Sequence, residues 1–202
     1  MTKGSGTDPW KLYEFLPSFV LGFHGLDQSV GEKILSGKIK HLKASENEYD
    51  WLGHGIYFWE GNPQRAMEFA KERANGGRNS QGDIKKPFVL GAIIDLGRCL
   101  NLVDSSALRQ LADAYYLLKT ANPGELPTNG KQLLARKLDC AVMQTLHTFR
   151  QVQEYEPFQS VRGAFFEGED LYENAGFKTK NHIQICIRDT HCIRGYFRPI
   201  MT

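Results

Sequence analysis

The chain has 202 residues, of which 41% are hydrophobic and 24% charged, as expected for one ordinary folded domain. Lys and Arg exceed Asp and Glu by only 25 to 23, so overall charge gives no argument for nucleic-acid binding. The four cysteines form no CxxC pair, which predicts reduced thiols and a cytoplasmic protein. We find no signal-peptide core and no apolar run near the roughly 18 residues of a membrane span, so we expect no membrane association.

The sequence predicts two parts, a flexible N-terminus at 1–9 and a single domain at 10–202. No internal repeat or long linker interrupts the second part. The stretch 75–86 is polar and rich in glycine, which predicts a mobile surface loop inside the domain.

The first half of the domain alternates predicted strands and helices. Asp27 or Ser29 caps the first helix and Gly37 ends it, while Asn62 and Pro63 open the second. The predicted strands are 18–23, 55–59 and 88–96.

The second half begins with helices and ends with strands. Asp104 caps a helix that runs to Asn122, and a second helix covers about 131–149. The predicted strands are 161–166, 182–187 and 193–197. Because strands flank a helical middle, an α+β domain fits better than a βαβ repeat.

Three short motifs carry residue types that often serve chemistry. They are the Gly22-Phe23-His24-Gly25 segment, the Gly53-His54-Gly55-Ile56-Tyr57-Phe58 segment, and the strand Asn181–Arg188, in which polar residues alternate with isoleucines. Alternation places Tyr57 and Phe58 on opposite faces, and His182, Gln184, Cys186 and Arg188 on one face. Taken singly, the first two motifs are more typical of structural strands, and the polar row of the third is either solvated surface or the floor of a cleft.

In this order and at this spacing, the motifs resemble the ADP-ribosyltransferase fold. The resemblance is to the branch with a His-Tyr-Glu triad, which includes the poly(ADP-ribose) polymerases and diphtheria-like toxins, and it covers about residues 19–197. It implies a split, mostly antiparallel sheet surrounded by helices, with NAD as the substrate that donates ADP-ribose.

The resemblance also implies roles for individual residues. His24 would bind the adenosine-side ribose of NAD, and the backbone of Gly25 would hold the nicotinamide amide. Tyr57 would stack on the nicotinamide ring, and Gly55 would belong to the same NAD-binding set. These roles require that His24, Tyr57 and the third triad residue line one cleft.

The third position departs from the family pattern. The late strand has no acidic residue between Asn181 and Arg188, and Gln184 matches the family glutamate best. Three alternatives stay open: mono-ADP-ribosyl transfer with glutamine in this place, a carboxylate supplied by Glu167 or Glu169, or NAD binding without turnover. An engineered Glu→Gln replacement at position 184 is a further alternative.

The resemblance implies a macromolecular acceptor, which could be protein, DNA or RNA. In the family, the region before the late strand helps to select it, so Tyr172 and Phe177 are predicted acceptor contacts. A stand-alone transferase also suggests a toxin or defence effector with a neutralising antitoxin partner.

Two rival interpretations rest on other residues. A zinc site would need His182 and Cys186 together, but residues four apart on a strand are separated by about 13 Å, so we expect no metal. A nucleic-acid-binding module would use the basic residues Lys71, Arg73, Arg78, Lys85, Lys86, Arg188, Arg194 and Arg198. Acidic neighbours interleave with several of these, which favours a solvated face.

Overall fold

A computed structural model describes residues 19–76, 84–130 and 135–200. The predicted flexible segment 1–9, the following residues 10–18, and residues 77–83 of the predicted loop 75–86 lie outside the described residues.

The described ranges contain seven strands and four α-helices, besides a short 3-10 turn at Thr190–Cys192. The strands are β1 Phe19–Asp27, β2 Ile56–Glu60, β3 Pro87–Asp95, β4 Cys99–Asn101, β5 Ser160–Phe165, β6 His182–Ile187 and β7 Ile193–Phe197. The helices are α1 Gln28–Leu35, α2 Pro63–Ala74, α3 Ser105–Ala121 and α4 Lys137–Val152. None of these helices is both long and apolar enough to cross a membrane.

The strands form one sheet in the order β4-β5-β6-β2-β1-β3-β7. Neighbouring strands are antiparallel except β4 and β5, which are parallel. The predicted α+β class with a mostly antiparallel sheet is therefore confirmed.

Most element boundaries follow the sequence pattern, with three differences. β1 continues to Asp27, so the His24-Gly25 pair lies inside the strand. The short strand β4 was not predicted. For the helix predicted over about 131–149, residues 131–134 lie outside the described residues, and the prediction is wrong for Ala135 and Arg136, because α4 begins at Lys137.

The late start of α4 has a local cause. Arg136 precedes the helix without helical dihedrals and without a side-chain cap. Asn129 supplies that cap from outside, because its Oδ1 accepts hydrogen bonds from the N–H groups of Leu138 and Asp139 at 3.0 and 3.3 Å. The other predicted caps, Asp27, Asn62 and Asp104, all accept hydrogen bonds from first-turn N–H groups.

The two faces of the sheet are covered differently. We call the first the α1 face; its buried side chains include Phe58, Leu90, Ala92, Ile94 and Ile185, which pack with Ile34 of α1. The other, the α2/α4 face, carries two apolar clusters, one built with Ala66 of α2 and one with residues of α3 and α4. The polar residues described below lie between those two clusters.

Candidate functional site

The sheet opens into a split between β1 and β2. The two strands pair only at Gly22–Glu60 and Phe23–Trp59. Beyond that point β1 stays with β3 and β2 stays with β6. Because hydrogen-bonded pairs in an antiparallel ladder recur every second residue, Gly25 and Tyr57 would form the next pair after Phe23–Trp59. They line the two sides of the split instead.

His24 bridges this split. Its Nδ1 lies 2.6 Å from the carbonyl oxygen of Tyr57, and its ring meets Phe58 edge-on with centroids 5.9 Å apart. A carbonyl can only accept, so Nδ1 carries the proton and Nε2 of the neutral ring is an acceptor. Burial lowers the pKa of His24, and the hydrogen bond to Tyr57 only partly opposes this, so the ring is neutral at pH 7.

Gly25 lies directly beneath α2. A Cβ at this position would be 2.1 Å from the carbonyl oxygen of Ala66, so only glycine allows the helix to approach so closely. The carbonyl of Leu21 accepts a hydrogen bond from the N–H of Gly61, so the backbone polar groups of Leu21 point toward β2. In a strand these groups point to the same side at every second residue. The N–H and C=O of Gly25 therefore also point toward β2, into the split.

The Tyr57 side chain is fixed by hydrogen bonds to its hydroxyl and by packing of its ring. Its hydroxyl donates to the carbonyl of Gly53 at 2.7 Å and accepts from the N–H of Leu52 at 2.8 Å. The ring packs against the α3/α4 cluster, and burial raises the pKa of the phenol well above its usual value. Tyr57 is thus fixed by its hydroxyl and half-buried by its ring. Gly55 has a packing role, since a Cβ there would lie 2.5 Å from the Cys186 Sγ.

The predicted triad residues approach the split from different sides. Strand register places the side chains of Tyr57 and Gln184 on the α2/α4 face, where Gln184 lies opposite Trp59 on β2. The His24 side chain projects from the α1 face and contacts β2 only through its hydrogen bond to the Tyr57 carbonyl. The structure therefore brings His24, Gly25 and Tyr57 together at the split through the backbone, but the His24 side chain lies on the opposite face of the sheet from Tyr57 and Gln184, so the three predicted triad side chains do not line one face.

Four polar or aromatic residues next to Gln184 form what we call the Arg65 cluster: Trp59, Arg65, Glu167 and His182. Glu167 Oε2 lies 3.9 Å from both Arg65 Nη2 and His182 Nδ1. The Arg65 guanidinium carbon lies 5.8 Å from the centre of the Trp59 ring. The predicted carboxylate Glu167 is thus brought to the same face as Gln184.

Several atoms of this cluster are buried without a hydrogen-bond partner. They are Trp59 Nε1, Arg65 Nε and Nη1, and His182 Nε2. Since His182 Nδ1 donates to the Lys180 carbonyl at 2.7 Å, its Nε2 is an acceptor in the neutral ring. Buried polar atoms normally have partners, so these three donors and one acceptor call for a water molecule or a polar ligand to complete the cluster.

Burial also sets the charge states in the cluster. Burial raises the pKa of the Glu167 carboxyl, although the positive charges of Arg65, Arg136 and Lys180 lower it in part. It lowers the pKa of His182, and Arg65 adds to that effect. Arg65 itself is buried, and its Nη1 lies 3.6 Å from Glu72 Oε1, which is too far for a hydrogen bond.

The loop 167–180 leads from Glu167 to β6 and folds back on itself. Backbone hydrogen bonds join Thr179 to Glu169 and Lys180 to Glu167. Tyr172 and Phe177, the predicted acceptor contacts, are 59% and 57% exposed. The loop therefore presents aromatic side chains to solvent beside the Arg65 cluster.

Sequence reasoning missed Arg65 and Trp59. Trp59 is two residues from Tyr57, so strand alternation could have placed both on one face. Arg65 carried no such signal, because its position depends on how α2 crosses the sheet. Among the described residues, no group of three or more His, Cys, Asp or Glu side chains is arranged to hold a metal ion.

No family model matches this chain, and comparisons with curated proteins and with solved structures give no match.

Proposed function

We propose that this protein is an NAD-dependent mono-ADP-ribosyltransferase. The observation that supports this best is the split between β1 and β2. His24 and Gly25 lie on one side of it and Tyr57 on the other, and the resemblance to the His-Tyr-Glu branch assigns these residues to NAD, although the His24 ring projects from the opposite face to Tyr57. The NAD would bind here, with its nicotinamide amide against the backbone of Gly25 and its ring against Tyr57.

The reaction breaks the bond between nicotinamide and ribose. The bonding electron pair leaves with nicotinamide, positive charge develops on the ribose, and a nucleophile of the acceptor forms the new bond and releases its proton. A nearby carboxylate stabilises the developing charge. Glu167 supplies it in this proposal, because it lies on the same face as Gln184 and has an adjacent neutral histidine, His182.

Gln184 keeps a positioning role in this scheme. Its amide can hold a ribose hydroxyl but cannot offset positive charge. The N–H groups of Arg65 and Trp59 that lack hydrogen-bond partners suit the ribose hydroxyl oxygens of NAD, since three glutamates already lie within 4.0 Å of the Arg65 guanidinium. The acceptor is a macromolecule, for which we propose the exposed aromatic residues of loop 167–180 as the contact surface.

The test is release of nicotinamide from NAD by the purified protein in the presence of a cell lysate. We expect Glu167→Gln to lower the rate about 100-fold, the usual cost of losing one electrostatic stabiliser. Glu169→Gln is the matched control, because Glu169 is exposed whereas Glu167 is half-buried beside Arg65 and His182; we expect an unchanged rate, and a lower one would give the role to Glu169. We also expect His24→Ala and Tyr57→Ala to lose activity.

Two results would overturn the proposal in different ways. NAD binding without nicotinamide release, in the wild-type chain, would assign a binding module of the same fold. An absence of NAD binding, measured by calorimetry, would overturn the NAD site itself. Equal activity of Glu167→Gln and Glu169→Gln would remove Glu167 from the mechanism and return the role to Gln184.

A further inference from the structure

The connection between β5 and β6 contains a small hairpin at residues 169–179, which we call the 169–179 hairpin. Asp170 and Lys178 form an antiparallel bridge across it. On the next pair of positions, the N–H of Leu171 donates to the carbonyl of Phe177 at 3.0 Å. The backbone of this segment is therefore held by its own hydrogen bonds, although it lies outside the seven strands of the sheet.

One side of the hairpin is apolar and exposed to solvent. The side chains of Asp170 and Lys178 form an ion pair at 2.6 Å, so they share the opposite side. Since side chains alternate along each arm, Leu171 and Phe177 point away from that pair, and both are more than half exposed. Tyr172, the next residue, is also more than half exposed. Exposed apolar side chains that lie next to one another, unlike scattered ones, are typical of an interaction surface.

The positive charges of this segment are already paired. Residues 166–180 contain four carboxylates and two lysines. Lys178 pairs within the hairpin, and Lys180, at its base, pairs with Glu72 of α2 at 2.8 Å. Neither lysine is therefore available to bind an anionic partner without breaking an ion pair.

Two carboxylates of the hairpin have no such partner. Glu169 and Glu173 are exposed, and neither forms an ion pair with another part of the chain that the structure describes. The hairpin thus presents apolar side chains together with negative charge. This combination repels the phosphates of DNA and RNA, which bind where Lys and Arg are in excess. It complements a protein surface on which Lys or Arg side chains surround an apolar patch.

The hairpin is attached directly to the proposed site. The N–H of Lys180 at its base donates to the carbonyl of Glu167 at 2.9 Å, and Glu167 belongs to the Arg65 cluster. A molecule docked on the hairpin is therefore held next to the carboxylate to which the proposed function assigns the ribose charge.

We propose that the acceptor is a protein, and that it docks on the 169–179 hairpin through an apolar patch surrounded by Lys or Arg side chains. Leu171, Tyr172 and Phe177 cover the apolar patch, and Glu173 pairs with a cation at its rim. This inference rests on the proposed transferase function and names the class of its acceptor.

Transfer of labelled ADP-ribose from NAD to the macromolecules of a cell lysate tests the proposal. We expect the label to resist nuclease and to be removed by protease. We also expect the labelled proteins to be retained by a cation-exchange resin at about pH 7, because their surfaces are basic.

Two variants test whether the hairpin carries the contact. Leu171→Ser and Glu173→Lys should each lower the labelling about tenfold, and the effect of Glu173→Lys should shrink as the salt concentration is raised. Neither should change NAD binding measured by calorimetry, because both side chains are exposed on the hairpin. Glu125→Lys is the matched control, since it makes the same charge change at an exposed glutamate that follows α3. It should label the lysate as the wild type does.

Several results would overturn the docking proposal while the transferase function stands. They are label in nuclease-sensitive material, label in proteins that the resin does not retain, nicotinamide release without any label, and protein labelling that both variants leave unchanged. If the wild-type chain neither binds NAD nor releases nicotinamide, the proposed function fails and this inference fails with it.

Discussion

The two faces of the same central strands have opposite characters. On the α1 face, Phe58, Ile185 and Leu90 are fully buried and pack against other apolar side chains. On the α2/α4 face, Trp59 and His182 lie in the same strands but surround a buried arginine with unpartnered nitrogens. At these positions the α1 face is apolar, whereas the α2/α4 face holds polar groups without hydrogen-bond partners between its two apolar clusters.

This contrast separates positions that stabilise the fold from positions proposed to bind a ligand. Apolar burial is the main favourable contribution to folding, and it comes from the α1 face and from the two apolar clusters of the α2/α4 face. Buried polar atoms without partners cost free energy, and such a cost is common where a ligand is to be bound. Because side chains alternate along a strand, neighbouring residues serve the two purposes, and substitutions at adjacent positions should separate them.

The largest effect on stability is expected from Ile185→Ala on β6. It removes a fully buried side chain from the α1 face, and the free energy of unfolding should fall by about 2–5 kcal/mol. Gln184→Ala, its neighbour on the other face, should cost less than about 1 kcal/mol but lower nicotinamide release. Urea unfolding of the two variants, with the activity assay, checks this. Similar stability losses in both would contradict the division between the faces.

Gly25→Ala tests the contact between β1 and α2. The new Cβ would meet the Ala66 carbonyl oxygen at 2.1 Å, so the helix must shift, and we expect a loss of about 1–3 kcal/mol together with loss of NAD binding. Gly195→Ala on β7 is the matched control, because no atom lies within 4 Å of its new Cβ. Thermal unfolding and calorimetry with NAD measure both effects; unchanged NAD binding in Gly25→Ala would remove Gly25 from the proposed site.

Asp27 supports the α1 end of β1, beyond the split. Its carboxylate accepts from the N–H and hydroxyl of Ser29 and from the N–H groups of Lys85 and Lys86. We expect Asp27→Ala to lower the free energy of unfolding by about 1–2 kcal/mol near pH 7.

The pH dependence of that loss follows from the Asp27 pKa, which the Ser29 and Lys86 hydrogen bonds hold well below its usual value of 3.8. A depressed pKa stabilises the fold above 3.8, and the contribution disappears as the pH falls toward the folded-state value. The difference in stability between wild type and Asp27→Ala should therefore shrink below about pH 4 in urea titrations. A constant difference down to pH 2 would show that the carboxylate charge is not responsible.

The smallest effect concerns the pH profile of nicotinamide release. Burial raises the pKa of Glu167 above 4.5, so its carboxylate takes up a proton at higher pH than an ordinary glutamate does. If the carboxylate stabilises the ribose charge, the rate should fall on the acid side as the pH drops through this raised value. The residual rate of Glu167→Gln should lack that limb. An identical acid limb in both proteins would assign it to another group.

Local signals in the sequence predicted much of the fold. β6 and β7 have the predicted bounds, and the caps Asp27, Asn62 and Asp104 begin their helices where expected. Such features depend on residues close in sequence, so they can be predicted without knowledge of the tertiary structure. β4 was missed because its three residues are held by pairing with β5, about sixty residues later.

The candidate site was only partly predictable. The sequence pointed to five candidate residues: His24, Gly25, Tyr57, Gln184 and Glu167. Strand alternation also predicted that Tyr57 and Phe58 face opposite sides of the sheet. It did not reveal that Tyr57 would commit its hydroxyl to Gly53 and Leu52. Nor did it associate Arg65 with Glu167, which lie 102 positions apart and come within 3.9 Å through the packing of α2 on the sheet.

The sequence by itself determined the α+β class, the alternation of faces and most helix ends, because each depends on periodicity or on a side chain within a few residues. Only the tertiary structure decided where β1 and β2 part and which polar atoms lie buried without partners. It also decided that Lys180, at the base of the 169–179 hairpin, pairs with Glu72 of α2. Those properties depend on strand register and on long-range packing, which place together residues that no local pattern connects.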